Sequence, residues 1–152
     1  MKLRIVWIGK TKDSDLARLI AEFRSRIDRW VSVELVELKD PRAADSVRSR
    51  LEGEKILAAL DGSDRVVVLD PEGKMWSSQH FAGILAKHLR EDPRRLTFVI
   101  GGYSGLSEQV KKRADMVWSL SPLTFTHDLC RVLLLEQIYR AFCIIYKHPY
   151  SK

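Results

Sequence analysis

Two short segments, Arg65-Val-Val-Val-Leu69 and Leu96-Thr-Phe-Val-Ile100, are apolar and largely β-branched almost without interruption. A strand with one wet face alternates polar and apolar residues, so an unbroken run marks a strand buried on both faces. Covering both faces takes a layer of helix on each side, which points to a parallel sheet crossed by helices. The rest of the chain supplies the parts. Leu3 to Ile8 and Val31 to Leu38 read as strands, and Met116-Val117-Trp118 as a last short one. A helix runs from a cap at Asp13 or Ser14 to about Trp30, with Leu16, Leu19, Ile20, Phe23 and Ile27 on one face. Pro41 opens a second helix, reaching about Leu60, and Ser77 or Ser78 caps a third, ending at Leu89. Ser107 caps a short fourth, and a long fifth extends from about His127 to Lys147. Between the third strand and third helix, Asp70-Pro71-Glu72-Gly73 is expected to turn the chain. No repeat, linker or low-complexity stretch divides residues 1–152. The expected fold is a single α/β domain, a mostly parallel sheet with helices on both faces.

The fifth helix is apolar round almost its whole circumference: Leu129, Val132, Leu133, Leu134, Leu135, Ile138, Phe142 and Ile144 cover it at helical spacing. A helix of that kind is buried all round. One face can meet the sheet, and the other calls for a second subunit, so a homodimer is expected. The alternative is a central helix covered by the chain's own elements.

Composition excludes several classes. With 152 residues, 45% hydrophobic and 30% charged, the chain is neither disordered nor too short for a core. Cys130 and Cys143 are too few for a disulfide scaffold and match no zinc spacing, so no metal is expected. No apolar run approaches the roughly 20 residues of a membrane span, and Ile5 to Ile8 is too short for a secretory core. A soluble cytoplasmic domain is expected. The net charge of +6 favours an anionic partner, nucleic acid before others. Arginines and lysines at 24, 26 and 29, at 42, 48 and 50, at 90, 94 and 95, and at 111–113 are candidate phosphate contacts or solvated faces.

Ligands of open parallel sheets bind outside the carboxyl ends of the strands. Three segments leave such ends: 69–74, 101–107 and 119–126. Gly101 and Gly102 allow close backbone approach. Ser119 to Thr126 is uncharged and apolar for a loop, so it is expected to pack; its backbone groups would suit a flat heterocycle such as adenine. A tight glycine turn and a buried connection explain the same residues without a ligand. Standard nucleotide signatures fail. Gly9-Lys10-Thr11 resembles the end of a P-loop, but Arg4 stands where the first glycine belongs, and Gly101-Gly102-x-x-Gly105 is not a dinucleotide fingerprint. Among polar residues, His127 reads as a cap or packing residue, and Glu136 with Arg140 as partners one helical turn apart. Arg131 is a charge in a buried helix with only Asp128 at helical spacing, which makes it a functional candidate. His80 and His88 need no role, while His148-Pro149-Tyr150 forms a tail able to reach a neighbouring site.

A longer series of residues is specific. Leu69-Asp-Pro-Glu-Gly-Lys74 with Ser77-Ser78, Phe98-Val-Ile-Gly-Gly102, Gly105-Leu106, Ser119-Leu-Ser121 with Leu123-Thr124, His127, Arg131-Val-Leu-Leu-Leu-Glu-Gln-Ile-Tyr-Arg-Ala141 and His148-Pro-Tyr150 follow one another in order. Together with the opening Met1-Lys-Leu3, this series resembles the RlmH family over essentially the whole chain. That family comprises large-subunit rRNA pseudouridine N3-methyltransferases of the SPOUT superfamily. The resemblance implies a C-terminal deep trefoil knot, a homodimer, S-adenosylmethionine as methyl donor, and a pseudouridine in helix 69 of 23S rRNA as acceptor. It implies donor contacts at Leu69, Gly101, Gly102, Leu120, Ser121, Pro122, Leu123, Thr124 and Phe125.

Methylation at N3 removes an imide proton and leaves negative charge on the flanking carbonyl oxygens. A cation, Arg140 or Arg131, would stabilise that charge, and a general base or a water held by one would take the proton. Tyr150 and Ser151 complete the implied catalytic set. Here the chain departs from the family, which typically ends Pro-Tyr-His where this one ends Pro149-Tyr150-Ser151-Lys152. Either Tyr150, Ser151 and a water replace the histidine, or the protein is an RNA- or ribosome-binding relative with weak or no methyl transfer.

Overall fold

A computed structural model describes residues 2–150. Five strands, β1 (Lys2–Ile8), β2 (Ser32–Leu38), β3 (Arg65–Met75), β4 (Leu96–Ile100) and β5 (Met116–Ser119), form one sheet in the order β2-β1-β4-β3-β5. Every pairing is parallel. The helices are α1 (Ser14–Ile27), α2 (Asp45–Ala59), α3 (Ser78–Glu91), α4 (Glu108–Arg113) and α5 (His127–Ile145). The unbroken apolar runs have their expected cause. Alternate residues of a strand face opposite sides, and here both sides are core. Leu3, Ile5, Trp7, Val67, Phe98 and Ile100 pack with α1, α3 and α5. Val6, Ile8, Val66, Val68 and Val99 pack with Ile56 of α2 and Val110 of α4. All five residues of β4 are buried.

The helix starts follow their caps. Asp13 accepts from the Asp15 and Leu16 amides, Ser77 from His80, Ser107 from Val110 and Thr126 from Leu129. Helix α2 departs from expectation by starting at Asp45 instead of Pro41. Asp40 Oδ1 accepts the Arg42 amide at 2.8 Å, and Arg42 sits in the left-handed region at φ 51°, so the chain is still turning there. Helix α1 ends at Ile27, short of Trp30, and α5 ends at Ile145 before Lys147 takes φ 53°.

Residues 70–73 turn as expected: they loop out of the ladder, and Asp70 Oδ1 accepts the Glu72 amide at 2.8 Å. The difference lies just beyond them, where Lys74 and Met75 return to the sheet and carry β3 on to Met75. The β5 strand pairs with both halves of β3, Leu69 and Lys74 both meeting Trp118, with a register shift between them. Gly73 permits this, because a Cβ there would stand 2.6 Å from the Val117 carbonyl oxygen.

The chain itself covers most of α5. Val132, Leu134, Leu135, Ile138 and Phe142 are buried among α1, α3 and the sheet, and Trp30 stacks on Phe142 with ring centres 5.6 Å apart. Leu129 and Ile144 keep 37% and 41% of their surface exposed. Among the described residues no helix is long and apolar enough to cross a membrane.

Candidate functional site

The carboxyl ends of β3, β4 and β5 open onto a cleft of about 200 Å³. The three segments singled out in the sequence all reach it: Leu69 to Pro71, Ile100 to Tyr103 with Gly105 and Leu106, and Leu120, Ser121, Leu123, Thr124 and Phe125. His127 and Cys130 close it from the first turns of α5. Pro122 is exposed and lies off the lining.

Local chemistry shapes each wall. A Cβ on Gly101 would stand 2.7 Å from Leu106 Cδ2, so glycine leaves the cleft its width. Gly105, at φ 81°, lets its own amide reach back to the Gly102 carbonyl at 3.0 Å, which folds residues 102–105 into a tight turn. In the third segment Ser119 Oγ donates to the Ser121 carbonyl, and Ser121 Oγ accepts the Leu123 amide, each at 3.0 Å. That turn directs Pro122, Leu123 and Thr124 outwards, all three exposed, where packing was expected of an apolar loop. Leu123 is 68% exposed.

The lining is mainly apolar with a fringe of backbone polar groups, the composition of a site for a neutral, flat ligand part. Burial pushes the Cys130 thiol up to about 11, so it stays protonated and unreactive. Burial, then the Arg131 charge, lowers the His127 pKa, which keeps the imidazole neutral at pH 7. The α5 cap is Thr126, which leaves His127 as a packing residue at the cleft floor. Among the described residues no group of three or more His, Cys, Asp or Glu side chains is placed to hold a metal ion.

The candidate catalytic residues fall in two places. Arg131, 3% exposed, donates to the Ile8 carbonyl at 2.6 Å and to Thr11 Oγ1 at 3.1 Å. It lies 3.7 Å from Asp128 and 4.6 Å above the Trp7 ring. These contacts tie α5 to the end of β1. Arg140 instead belongs to a cluster at the far end of α5. Its guanidinium donates to Glu136 Oε1 at 2.5 Å, the Tyr150 hydroxyl donates to the same oxygen at 3.2 Å, and Arg140 lies 5.0 Å from the Tyr150 ring centre. Ser151 lies outside the described residues. Many of the basic groups are internally paired: Arg94 with Asp92, Arg95 with Asp64, Arg48 with Asp40 and Lys111 with Asp70.

Glu52, an acid on α2 that is 2% exposed, packs against Gly102 and has no counterpart among the candidates visible in the sequence. One carboxylate among several on a charged helix gives no periodic signal.

Over residues 1–151 the chain matches the family model described as "Predicted SPOUT methyltransferase". It is 42% identical over 151 residues to the ribosomal RNA large subunit methyltransferase H of Trichlorobacter lovleyi, spanning 99% of each chain. The protein of the same name from Streptococcus agalactiae is 40% identical over 159 aligned positions, with both chains covered in full. Two solved structures share the fold. A probable methylase family protein from Haemophilus influenzae superposes with TM-score 0.58 at 12% identity, covering 99% of this chain and 70% of that one. A probable methyltransferase from Bordetella pertussis gives TM-score 0.57 at 15% identity, with 91% and 93% covered. Strand order, strand-end cleft and full-length similarity agree, and the chain belongs to the SPOUT methyltransferase family.

Proposed function

We propose that the protein transfers a methyl group from S-adenosylmethionine to N3 of a pseudouridine in helix 69 of 23S rRNA, acting on the large ribosomal subunit as a homodimer with a C-terminal trefoil knot. The observation that carries this reading is the convergence of residues 69–71, 100–106 and 120–125 on one strand-end cleft, in a chain about 40% identical over its full length to proteins named for large-subunit rRNA methylation. The cleft fits the donor. Its apolar lining and loop backbone suit the adenine, and position 101 admits no side chain without displacing Leu106. Leu69, Gly101, Gly102, Leu120, Ser121, Leu123, Thr124 and Phe125 would hold it, with Pro122 in the same loop.

Bound there, S-adenosylmethionine supplies an electrophilic methyl carbon on a sulfonium. The chain's own task is to align the base and manage the N3 proton. Arg140 would provide the cation for the developing imide anion, and Glu136, hydrogen-bonded by both Arg140 and Tyr150, would be the carboxylate that takes the proton. Arg131, buried and committed to β1, serves to fix α5 and the His127 end of the cleft.

Cys130 lines the cleft and Arg140 follows ten residues later on the same helix. At about 1.5 Å per residue, the two lie about 15 Å apart along the axis. One chain therefore does not bring its own Arg140 to its own cleft, which supports a site built from two subunits. The exposed apolar residues Leu129, Ile144 and Tyr146 on and beyond α5 give such a pairing a surface.

The test is transfer of radiolabelled methyl to large subunits that carry the pseudouridine unmethylated, with subunits lacking pseudouridine as control. Incorporation only into the first is expected, and Ser151→His is expected to raise the rate. Cofactor binding without any transfer by the native protein would sink the reading and leave an RNA-binding relative in its place.

A further inference from the structure

Helix α2 takes no part in the cleft lining, yet one of its faces is spent on a cleft wall. Asp45, Arg48, Ser49, Glu52 and Gly53 recur at the spacing of a single helical face, and each meets the loop of residues 101–107. Asp45 Oδ1 accepts the Tyr103 hydroxyl at 2.6 Å, and Arg48 lies 4.8 Å from the Tyr103 ring centre. Ser49 Oγ lies 3.4 Å from the Gly105 carbonyl. A Cβ on Gly53 would stand 2.3 Å from Ser107 Oγ, so helix and loop touch there backbone to side chain.

Glu52 sits at the middle of this face. Its carboxyl lies against Gly102 so closely that a Cβ on Gly102 would be 1.9 Å from Oε2 and 2.6 Å from Oε1. Both oxygens are buried, and neither makes a hydrogen bond of ordinary geometry. Burial raises its pKa, while the Arg48 charge and the Gly102 amide favour the ionised form. A buried carboxyl so poorly satisfied is costly. A leucine would fill the same space at lower cost, so packing alone does not account for an acid here.

Resting on the donor-cleft reading above, we propose that Glu52 is a positioning residue for methyl-donor binding: its carboxyl seats Gly102 and, with the rest of the α2 face, holds the 101–107 loop in the shape that lines the cleft. Glu52 touches no donor atom. It acts through the loop backbone, so its removal lowers donor affinity more than it lowers the maximal rate.

The test compares Glu52→Ala and Glu52→Gln with the native protein by calorimetric S-adenosylmethionine binding, kinetics with the donor varied, and hydrogen exchange of the Gly102 amide in the unliganded protein. Glu52→Ala is expected to weaken donor binding about tenfold, the effect of one lost buried contact. It should raise KM for the donor with kcat little changed, and speed Gly102 exchange. Glu52→Gln keeps the shape and an acceptor oxygen, and is expected to restore binding to within about twofold. If Glu52→Ala does not fold, Glu52→Asp withdraws the oxygens by one methylene and is expected to show the same loss. Unchanged donor affinity and exchange in the folded Ala or Asp variant, or equal loss with Gln and Ala, would overturn the proposal while native binding leaves the cleft assignment standing. Failure of the native protein to bind the donor would overturn both.

Discussion

Gly73 and Gly102 are fixed as glycines by opposite kinds of neighbour. At Gly73 the obstacle is backbone: a Cβ would meet the Val117 carbonyl oxygen at 2.6 Å and the Trp118 nitrogen at 2.8 Å, and neither can swing away. At Gly102 the obstacle is the end of a side chain, Glu52, which can rotate at the cost of its seat. Gly73→Ala is therefore expected to force β3 from β5 and cost about 1–3 kcal/mol, the range for overpacking. In a domain of this size that lowers Tm by about 2–4 °C per kcal/mol. Thermal unfolding checks it, and an unchanged midpoint would contradict the close approach of β5. Arg131 shows how far one residue's meaning depends on its neighbours. From the sequence it is a charge in an apolar helix with only Asp128 at helical spacing, which makes it a functional candidate. In the fold it reaches from α5 to the Ile8 carbonyl and the Thr11 hydroxyl.

Elements were legible where a local rule decided them and obscure where distant contacts did. Strand β4 runs Leu96–Ile100 as its apolar run dictates, and the side-chain caps at Asp13, Ser77 and Ser107 mark helix starts correctly. Pro71 and Gly73 mark the turn out of β3 correctly, whereas the return of Lys74 and Met75 is hidden, because only β5, over forty residues later, draws them back into the sheet. The start of α2 is misread for a local reason: the Asp40–Arg42 turn, with Arg42 at φ 51°, overrides Pro41 as a helix opener. The three cleft loops were legible because parallel sheets place ligands at strand ends, whereas the α2 face behind one of them was not. Helix α3 carries a pH signature of its own. His88, 3% exposed near its end, donates from Nε2 to the Arg94 carbonyl, and burial lowers its pKa. The unfolded chain therefore takes up that proton first. The stability involved is complete above the unfolded value, about pH 6.5, and is lost as pH falls through the lower folded value. His127 adds to the same window. Asp92, held well below the carboxylate range by hydrogen bonds from Arg94, begins to cost stability only below about pH 4. Glu52, raised by burial, acts in the opposite sense, adding stability as pH falls towards the unfolded carboxylate value. Urea midpoints measured from pH 8 to pH 3 are expected to fall in two stages, and His88→Gln to shrink the upper one. A flat midpoint from pH 7 to 5 in the native protein would contradict the burial of neutral histidines.

For the whole molecule, the decisive matter is where the two halves of the proposed site lie. The cleft sits at the start of α5 and the Glu136–Arg140–Tyr150 cluster towards its end, and a rigid helix holds them apart. A second copy running the other way would bring the tail cluster of each chain to the cleft of its partner, a twofold arrangement in which both sites are composite. It would also unite two chains of net charge +6 into one basic body around the RNA. Complementation distinguishes this from a site within one chain. Gly101→Val closes the cleft against Leu106 and keeps Arg140, while Arg140→Ala does the reverse. Each variant alone should be inactive. Refolded together in equal amounts, half of the dimers are mixed, and each mixed dimer holds one site with intact cleft and intact cluster and one site with neither. Recovery of about a quarter of native methyl transfer is expected if twofold pairing is random. If cleft and cluster served the same chain, no pairing would join an intact pair, and the mixture would remain as inactive as its components.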